Sequence, residues 1–474
     1  MAMKLNDVIH AAVVVICTAT AVCFIGLCST LSANEMVSGS GDVRIQAVTF
    51  LPPIEIAAAN PDREGEMPVQ LGGLSDLVVV PSHGQLCFWS ITDRGPNGKV
   101  ETSAGKRRTL LNPNFQPALI EIQVPPSESK KLLQESEGQS EAFVFDVTVQ
   151  KKLVLRNANG SPVTGRPNGV GNDEPILDPA GKREIPPDHN GIDSEGLVRL
   201  NDGTMWVSEE YRPSLLRVSS RGEVLSRYVP QGIELPQADC EVHPVLPARY
   251  GMRKDNRGLE SLSVSPDGSM LWALLQSPLE YPSEKVAEKT GNIRLLAIDT
   301  QSGVPVGEYI YRAGDPSHPD FVAGGASPED VKVCAMSAID KASVLVIEQS
   351  DEGDAKLYRC SFDGATNTLK SDEPLEPIGN LSTVSVVPLQ KKLVADLAGL
   401  LPRFASDITG GVWQPKPGER VAGLKLEGIA VIDAHRVAIV NDNDFNMDHI
   451  EDPAEPERKS CLWIVSLAKP LWDD

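Results

Sequence analysis

The sequence predicts an all-β chain whose strands close radially into a β-propeller, and three observations carry that expectation. Short apolar runs alternate with Gly, Asp, Asn or Pro turns, the pattern of strands in meanders. The runs come as hairpins followed by more amphipathic pairs, so that each unit supplies the four strands of a blade. The 474 residues, with 39 Gly and 37 Pro, exceed one compact core and leave little room for long helices. Radial closure hides strand edges; a pair of β-sandwiches is the competing arrangement. Units recur at uneven intervals of roughly 40–90 residues, which leads to an expectation of six blades, with seven as the alternative, and long loop insertions.

The N-terminal element comes first. After MAMKLND, the stretch VIHAAVVVICTATAVCFIGLCSTL (8–31) is apolar apart from His10 and a few small hydroxyl residues. Residues 1–33 are read as a signal peptide or, because the run is long and Lys4 is nearly offset by Asp7, as a membrane anchor. Residues 34–69 are read as a linker with a first strand, and 70–470 as the propeller domain. A secreted, periplasmic or cell-surface location follows, with membrane contact limited to that first segment.

Composition narrows the partners. Lys and Arg total 44 against 65 Asp and Glu, a net charge of −21, which argues against nucleic acid or an anionic membrane surface. Beyond residue 33 five scattered cysteines remain, Cys87, Cys240, Cys334, Cys360 and Cys461. With no C-x-x-C pair, neither zinc nor a dense disulfide framework is indicated. The chain is expected to act as a monomer.

The hairpins follow in order: SDLVVVPSHGQLCFWSITD (75–93), EGLVRLNDGTMWVSEE (195–210), ESLSVSPDGSMLWALLQ (260–276), the degenerate CAMSAIDKASVLVIEQSD (334–351), and EGIAVIDAHRVAIVND (427–442). Their NDG and PDG turns need Gly at positive φ and assign Asp202 and Asp267 to local turn bonding. The stretch PPSESKKLLQESEGQSE (125–141) reads as a solvated excursion, and the Gly- and Pro-rich 156–191 as a flap ending near Asp193.

In a propeller the innermost strand of each blade runs along the axis. An acid that opens a hairpin and one that ends its second strand therefore fall at the same mouth. Glu195 opens one hairpin, and Glu209 and Glu210 close it. Asp76 and Asp93 bracket the first, Glu260 opens the third, and Glu348 and Asp351 end the fourth. Glu427 opens the last, with Asp442, Asn443 and Asp444 after it.

Carboxylates crowded at one opening must share protons, find cations or bind a hard metal ion. An all-oxygen set suits Ca²⁺, with Mg²⁺ or Mn²⁺ behind it. The competing role for Glu195, Glu260 and Glu427 is to accept backbone N–H bonds between blades, and for the NDND run (441–444) an Asx-turn. Arg94, Arg212 and Arg257 either neutralise these acids or hold an anionic substrate. His189, beside the acids, is a further acid–base candidate or an exposed loop histidine. Several chemistries are absent. GSPVTGRP (160–167) carries Arg166 and Pro167 where a phosphate loop needs Lys and Ser or Thr. Neither G-x-S-x-G nor H-E-x-x-H occurs.

The stretches GGLSDL…ITDRGPNG (72–98), GIDSEGLVRLNDGTMWVSEEYRPSLLRVSSRGEVLSRYVP (191–230), NRGLESLSVSPDGSMLWALLQSPL (256–279), VLVIEQSD (344–351) and KLEGIAVIDAHRVAIVNDNDF (425–445) together resemble the phytase-like family, described as having esterase-like activity of phytase. The resemblance covers about residues 70–466 and implies an exported β-propeller hydrolase, related in concept to calcium-dependent propeller phytases. The family's EG, SEEYRP, NRG-E and NDNDF elements fall on Glu195, on Glu209 to Pro213, on Asn256 to Glu260 and on Asn441 to Phe445. Two positions depart from it: Asp76 stands where a small residue is usual, and Gln349 where the family carries Arg.

The functional expectation is an exported, metal-dependent hydrolase of a phosphoester or related ester. A divalent cation, Ca²⁺ first, would sit on some of Glu195, Glu209, Glu260, Glu427, Asp442 and Asp444. Arg212 and Arg257 would hold the anionic small-molecule substrate, and Glu210 would act as base, with His189 as a second proton carrier. Two alternatives share the architecture: a non-catalytic propeller binding a ligand or protein at the cell surface, and a lactonase or carboxylesterase.

Overall fold

The computed structural model describes residues 43–60, 68–80, 84–103, 105–134, 141–168, 175–285, 291–314, 331–350, 353–411 and 424–472. The export segment read over 1–33 and the acid Asp351 lie outside them.

Five sheets make five blades. From the axis outward, blade 1 runs Val78–Val79, Cys87–Ile91, Ala118–Gln123 and Thr148–Val154. Blade 2 runs Ser194–Arg199, Met205–Glu209, Ser214–Val218 and Val224–Pro230, with Glu241–Leu246 added in parallel at its edge. Blade 3 is Leu259–Val264, Met270–Leu275, Asn292–Asp299 and Pro305–Arg312. Blade 4 is Val331–Ala338, Ser343–Ser350, Ala355–Ser361 and Gln390–Asp396.

Blade 5 closes the ring. Leu426–Asp433, Arg436–Asn441 and Cys461–Leu467 come from the C-terminal part of the chain. Its next strand is Val43–Phe50, paired antiparallel with the last one from Val43 opposite Leu467 to Phe50 opposite Cys461. The innermost strands neighbour one another around the axis, blade 5 meeting blade 1. Apolar side chains fill the wedges between adjacent blades, among them Trp206, Leu262 and Leu274, and Phe404 packed edge-on to Trp463.

The blade count differs from the six expected. The five quoted hairpins are the five inner hairpins, and among the described residues the length outside the blades forms insertions rather than a sixth blade. Blade 1 carries a projecting hairpin, Asn97–Thr102 with Gly105–Leu110. The stretch expected to be a solvated excursion contains the helix Pro126–Leu133, with Ser129 and Leu132 buried. Its Ser129 hydroxyl accepts Leu86 N and donates to Val124 O, so this segment is fastened to blade 1. Residues 362–389 are pinned to blade 3 by a buried ion network in which Arg294 pairs with both Glu376 and Glu308.

Glycine permits the narrow axis. A Cβ on Gly196 would come within 2.6 Å of Leu262 N in the next blade, and one on Gly428 within 2.8 Å of the Asp76 carbonyl carbon. Each follows the glutamate that opens its inner strand, so the Glu-Gly pair combines a channel-facing acid with the close approach that lets strands converge. Gly379, by contrast, has nothing near its missing Cβ. Gly196→Ala is therefore expected to lower stability by about 1–3 kcal/mol in urea unfolding. Gly379→Ala should stay within about 0.5 kcal/mol of the parent; equal effects would contradict this account of the axis.

Candidate functional site

One cavity of about 800 Å³ lies at the mouth where the inner strands begin and the second strands end, and its lining includes Glu195, Glu210, Glu260, Glu427, Asp442 and Asp444. Five of these were in the acid sets read from the sequence as metal ligands, and Glu210 was the base. Asp93 and Arg257 line it as well. The chain thus brings carboxylates from blades 1, 2, 3 and 5 into one space, as strands running out and back along the axis require.

Strand parity decides which neighbour faces the channel, since successive side chains point to opposite sides. Glu210 lines the cavity, whereas Glu209 does not. Its Oε2 accepts the Arg212 backbone N–H at 2.9 Å and the Ser214 hydroxyl at 3.1 Å, which holds the turn after the strand. In blade 4, Gln349 lines the cavity and Glu348 points away, buried against Lys391 and the Tyr311 hydroxyl. Gln349 donates to the Cys334 sulfur at 2.9 Å and accepts Leu426 N at 3.2 Å, so it bridges blades 4 and 5 without adding charge.

Two residues read as part of the chemistry stand elsewhere. Arg212 is buried and absent from the cavity lining; the Glu209 turn draws its backbone inward. His189 is half-buried in the 188–191 turn of the flap and also does not line the cavity. The flap does reach the neighbourhood. Pro167 and Ile176 line a small side cavity with Arg94, Arg108 and Tyr211, and the Tyr211 hydroxyl donates to Gly165 O at 2.8 Å. Asp76 takes the role weighed for the other acids: its oxygens accept Leu77 N at 2.7 Å and Leu197 N at 2.6 Å, stitching blade 1 to blade 2.

The acids fall into three groups. On one side Arg94 Nη2 lies 2.6 Å from Asp193 Oδ2 and 3.2 Å from Glu210 Oε2, its guanidinium stacked over Tyr211. On the other, Lys425 Nζ lies 3.1 Å from Asp442 Oδ2 and also pairs with Asp444. Between them stand Glu195, Glu260 and Glu427. Glu260 accepts a bond from Gln276 at 2.7 Å. Glu210 Oε1 is buried and receives no N–H or O–H donor, and the Glu210 carboxyl stands against that of Asp193. Oxygens of Asp193, Glu195 and Glu210 lie within 4.8 Å of one another, and all three residues are buried.

Burial first, then mutual repulsion, drives this set toward the protonated form. Glu195 and Glu260 are pushed well above the ordinary carboxylate range by loss of water, reinforced in both by Glu210, Glu427 and Asp193 and in Glu195 also by Glu260. Glu427 rises to about 8, and Glu210, with Arg94 opposing, to about 7. Asp442 rises to about 6. Burial also acts on Asp444, but the adjacent Lys425 ammonium outweighs it and holds that carboxyl low.

More exposed than these acids are lining cations not singled out from the sequence, save Arg257, and among them the acids Asp255, Asp448 and Glu451. Lys99, Lys106 and Arg108 come from the blade 1 hairpin, Lys254 and Arg257 from the lead-in to blade 3, and Lys332 from blade 4. Asp255, Asp448 and Glu451 of the lining were missed from the sequence, and so was Asp193 of the acid cluster. Asp193 stands two residues before Glu195 in GIDSEG, which put it on the same strand face. The lining cations carried no such signal, because they meet only through the fold.

A family model described as phytase-like, esterase-like activity of phytase, matches residues 69–445. Over 248 residues the chain is 30% identical to an uncharacterized secreted protein of Arthroderma benhamiae, which is 46% of this chain and 45% of that one, so less than half of the relative is spanned. Among solved structures, a calcium-binding regucalcin of Agrobacterium tumefaciens shares 11% identity over 90% of this chain and 98% of its own, at a TM-score of 0.33. An α-L-arabinofuranosidase of Podospora anserina shares 8% over 90% and 98%, at 0.34. Likenesses this weak leave the fold to the strand pairing and say nothing of chemistry. With one family model spanning most of its length, the chain belongs to the phytase-like family (esterase-like activity of phytase).

Proposed function

We propose that the protein is an exported hydrolase of anionic esters, phosphoesters first, working at the acid-lined mouth with a divalent cation. One observation carries the reading: a single cavity gathers buried Glu195, Glu210 and Glu260 with half-buried Glu427, while Lys and Arg side chains, interspersed with Asp255, Asp448 and Glu451, line its more exposed part. Acids alone repel an anionic substrate, and basic groups alone lack a reacting centre. The two together suit an anion held by the Lys and Arg side chains beside a cation on the acids. Export is supported by the apolar run at 8–31 and by the secreted relative in Arthroderma benhamiae.

These acids fit a hard cation. Their donors are all carboxylate oxygens, the ligand type of Ca²⁺, and Glu210 Oε1 is a buried acceptor that receives no N–H or O–H donor, a costly state that a ligand relieves. A divalent ion there would polarise an ester oxygen and acidify water. The chain's own groups do the rest. Arg108, Arg257 and Lys332 hold the substrate anion and neutralise charge that develops on it. Arg94 holds Glu210 through Oε2, so the side chain expected to act as base instead serves the cation as a ligand.

Hydrolysis of nitrophenyl phosphate and nitrophenyl acetate, with Ca²⁺ or with chelator, tests the reading. Phosphate release should need Ca²⁺, and Glu210→Gln, which removes a ligand charge, should lower turnover and raise the Ca²⁺ concentration needed for it. Turnover indifferent to both chelator and Glu210→Gln would remove the proposal.

Stability against pH gives a second check. Folded Glu427 titrates at about 8 and Glu210 at about 7, against 4.5 for the unfolded groups. The folded chain therefore binds more protons in that window, and the associated stability is lost as pH rises from 4.5 through these values. In chelator, Tm should be highest near pH 5 (about the unfolded pKa) and fall toward pH 8. Ca²⁺ should raise Tm more at pH 8 than at pH 5, and Glu427→Gln should flatten the metal-free curve. A metal-free Tm that climbs over this range contradicts the account.

A further inference from the structure

We propose that Lys425 is a built-in cation that permanently occupies the Asp442–Asp444 half of the acid ring, so that the mouth takes one divalent ion rather than two. This rests on the cation reading above and adds a stoichiometry to it. The observations are geometric. The Lys425 ammonium lies 3.1 Å from Asp442 Oδ2 and pairs with Asp444 as well. Its own carbonyl accepts Asp442 N at 2.9 Å, so the two residues face each other across the open end of the blade 5 hairpin.

The loop is shaped around that contact. Lys425, Asp444, Phe445 and Asn446 all have positive φ, between 48° and 61°, a conformation that Asp and Asn adopt readily but Lys and Phe seldom. Asp444 N donates to Asp442 Oδ1 and Phe445 N to Asn443 Oδ1. The Asx-turn weighed from the sequence and the acid pair are thus one device, which aims two carboxylates at a tethered ammonium. An ammonium held on both carboxylates opposes a divalent ion there, by repulsion between the two positive charges and by taking up lone pairs that the ion would need. A tethered charge also loses no translational freedom on binding, an advantage over an ion from solution.

The opposite half is built differently. Arg94 contacts Glu210 through Oε2, the buried Oε1 receives no donor, and carboxylate oxygens of Asp193, Glu195 and Glu210 gather within 4.8 Å of one another. The opening for an external ion is therefore on the Glu195–Glu210 side, with Glu260 and Glu427 at its margin.

Calorimetric titration of the full chain with CaCl₂ alone reads the stoichiometry. The parent should bind one tight equivalent, Lys425→Met two, and Lys425→Arg one. Asp444→Asn, which keeps the ammonium, should leave one equivalent with affinity within threefold, and it serves if Lys425→Met fails to fold. One equivalent in a folded Lys425→Met, two in the parent, or lost binding in Asp444→Asn each overturns the inference. No binding by the parent is a separate outcome: it removes the cation reading itself, and this inference with it.

Discussion

Closure of the propeller forces like charges together, and the rest of the molecule accommodates that. Five inner strands can surround an axis only if they approach closely, which Gly196 and Gly428 allow. The residue before each glycine is then delivered to a narrow mouth, and there it is a glutamate. Coulomb repulsion among partly buried carboxylates falls off slowly where water is scarce. No choice of rotamer relieves a crowd that the backbone itself assembles.

Three remedies coexist in the fold. Asp76 has become a structural acceptor for backbone N–H groups, although burial outweighs those bonds and pushes its carboxyl toward the protonated form. Arg94 and Lys425 neutralise the two flanks by direct ion pairs. The centre, Glu195, Glu260 and Glu427 with one oxygen of Glu210, is left to protons or to a cation from outside. That residual deficit links architecture to chemistry: it is costly in the resting chain and useful once an ion and an anionic substrate enter. The more exposed lining cations complete the site in a protein that is otherwise strongly acidic.

The sequence carried much of this, and its failures have physical causes. The turn chemistry of NDG and PDG marked the inner hairpins, and the acids at their ends were legible because a hairpin returns to its starting side. Length misled the blade count, since insertions such as the 97–110 hairpin and the 126–133 helix resemble blade material when only residues are counted. Parity separates Glu210 from Glu209 and Gln349 from Glu348. It was available in principle, but it needs the strand's phase, which the β-bulges of the inner hairpins shift. Lys425 sat beside the recognised acids as an ordinary lysine. Arg108, Lys254 and Lys332 come to line one cavity only through contacts between blades far apart in sequence.

The central claim is that an external divalent ion relieves the carboxylate crowd at the axis, and anomalous diffraction from crystals soaked in MnCl₂ tests it most directly. The account predicts a manganese peak coordinated by oxygens of Glu195 and Glu210, on the side of the mouth away from Lys425. A map without a peak there, or with the ion seated on Asp442 and Asp444 in place of the ammonium, would contradict it.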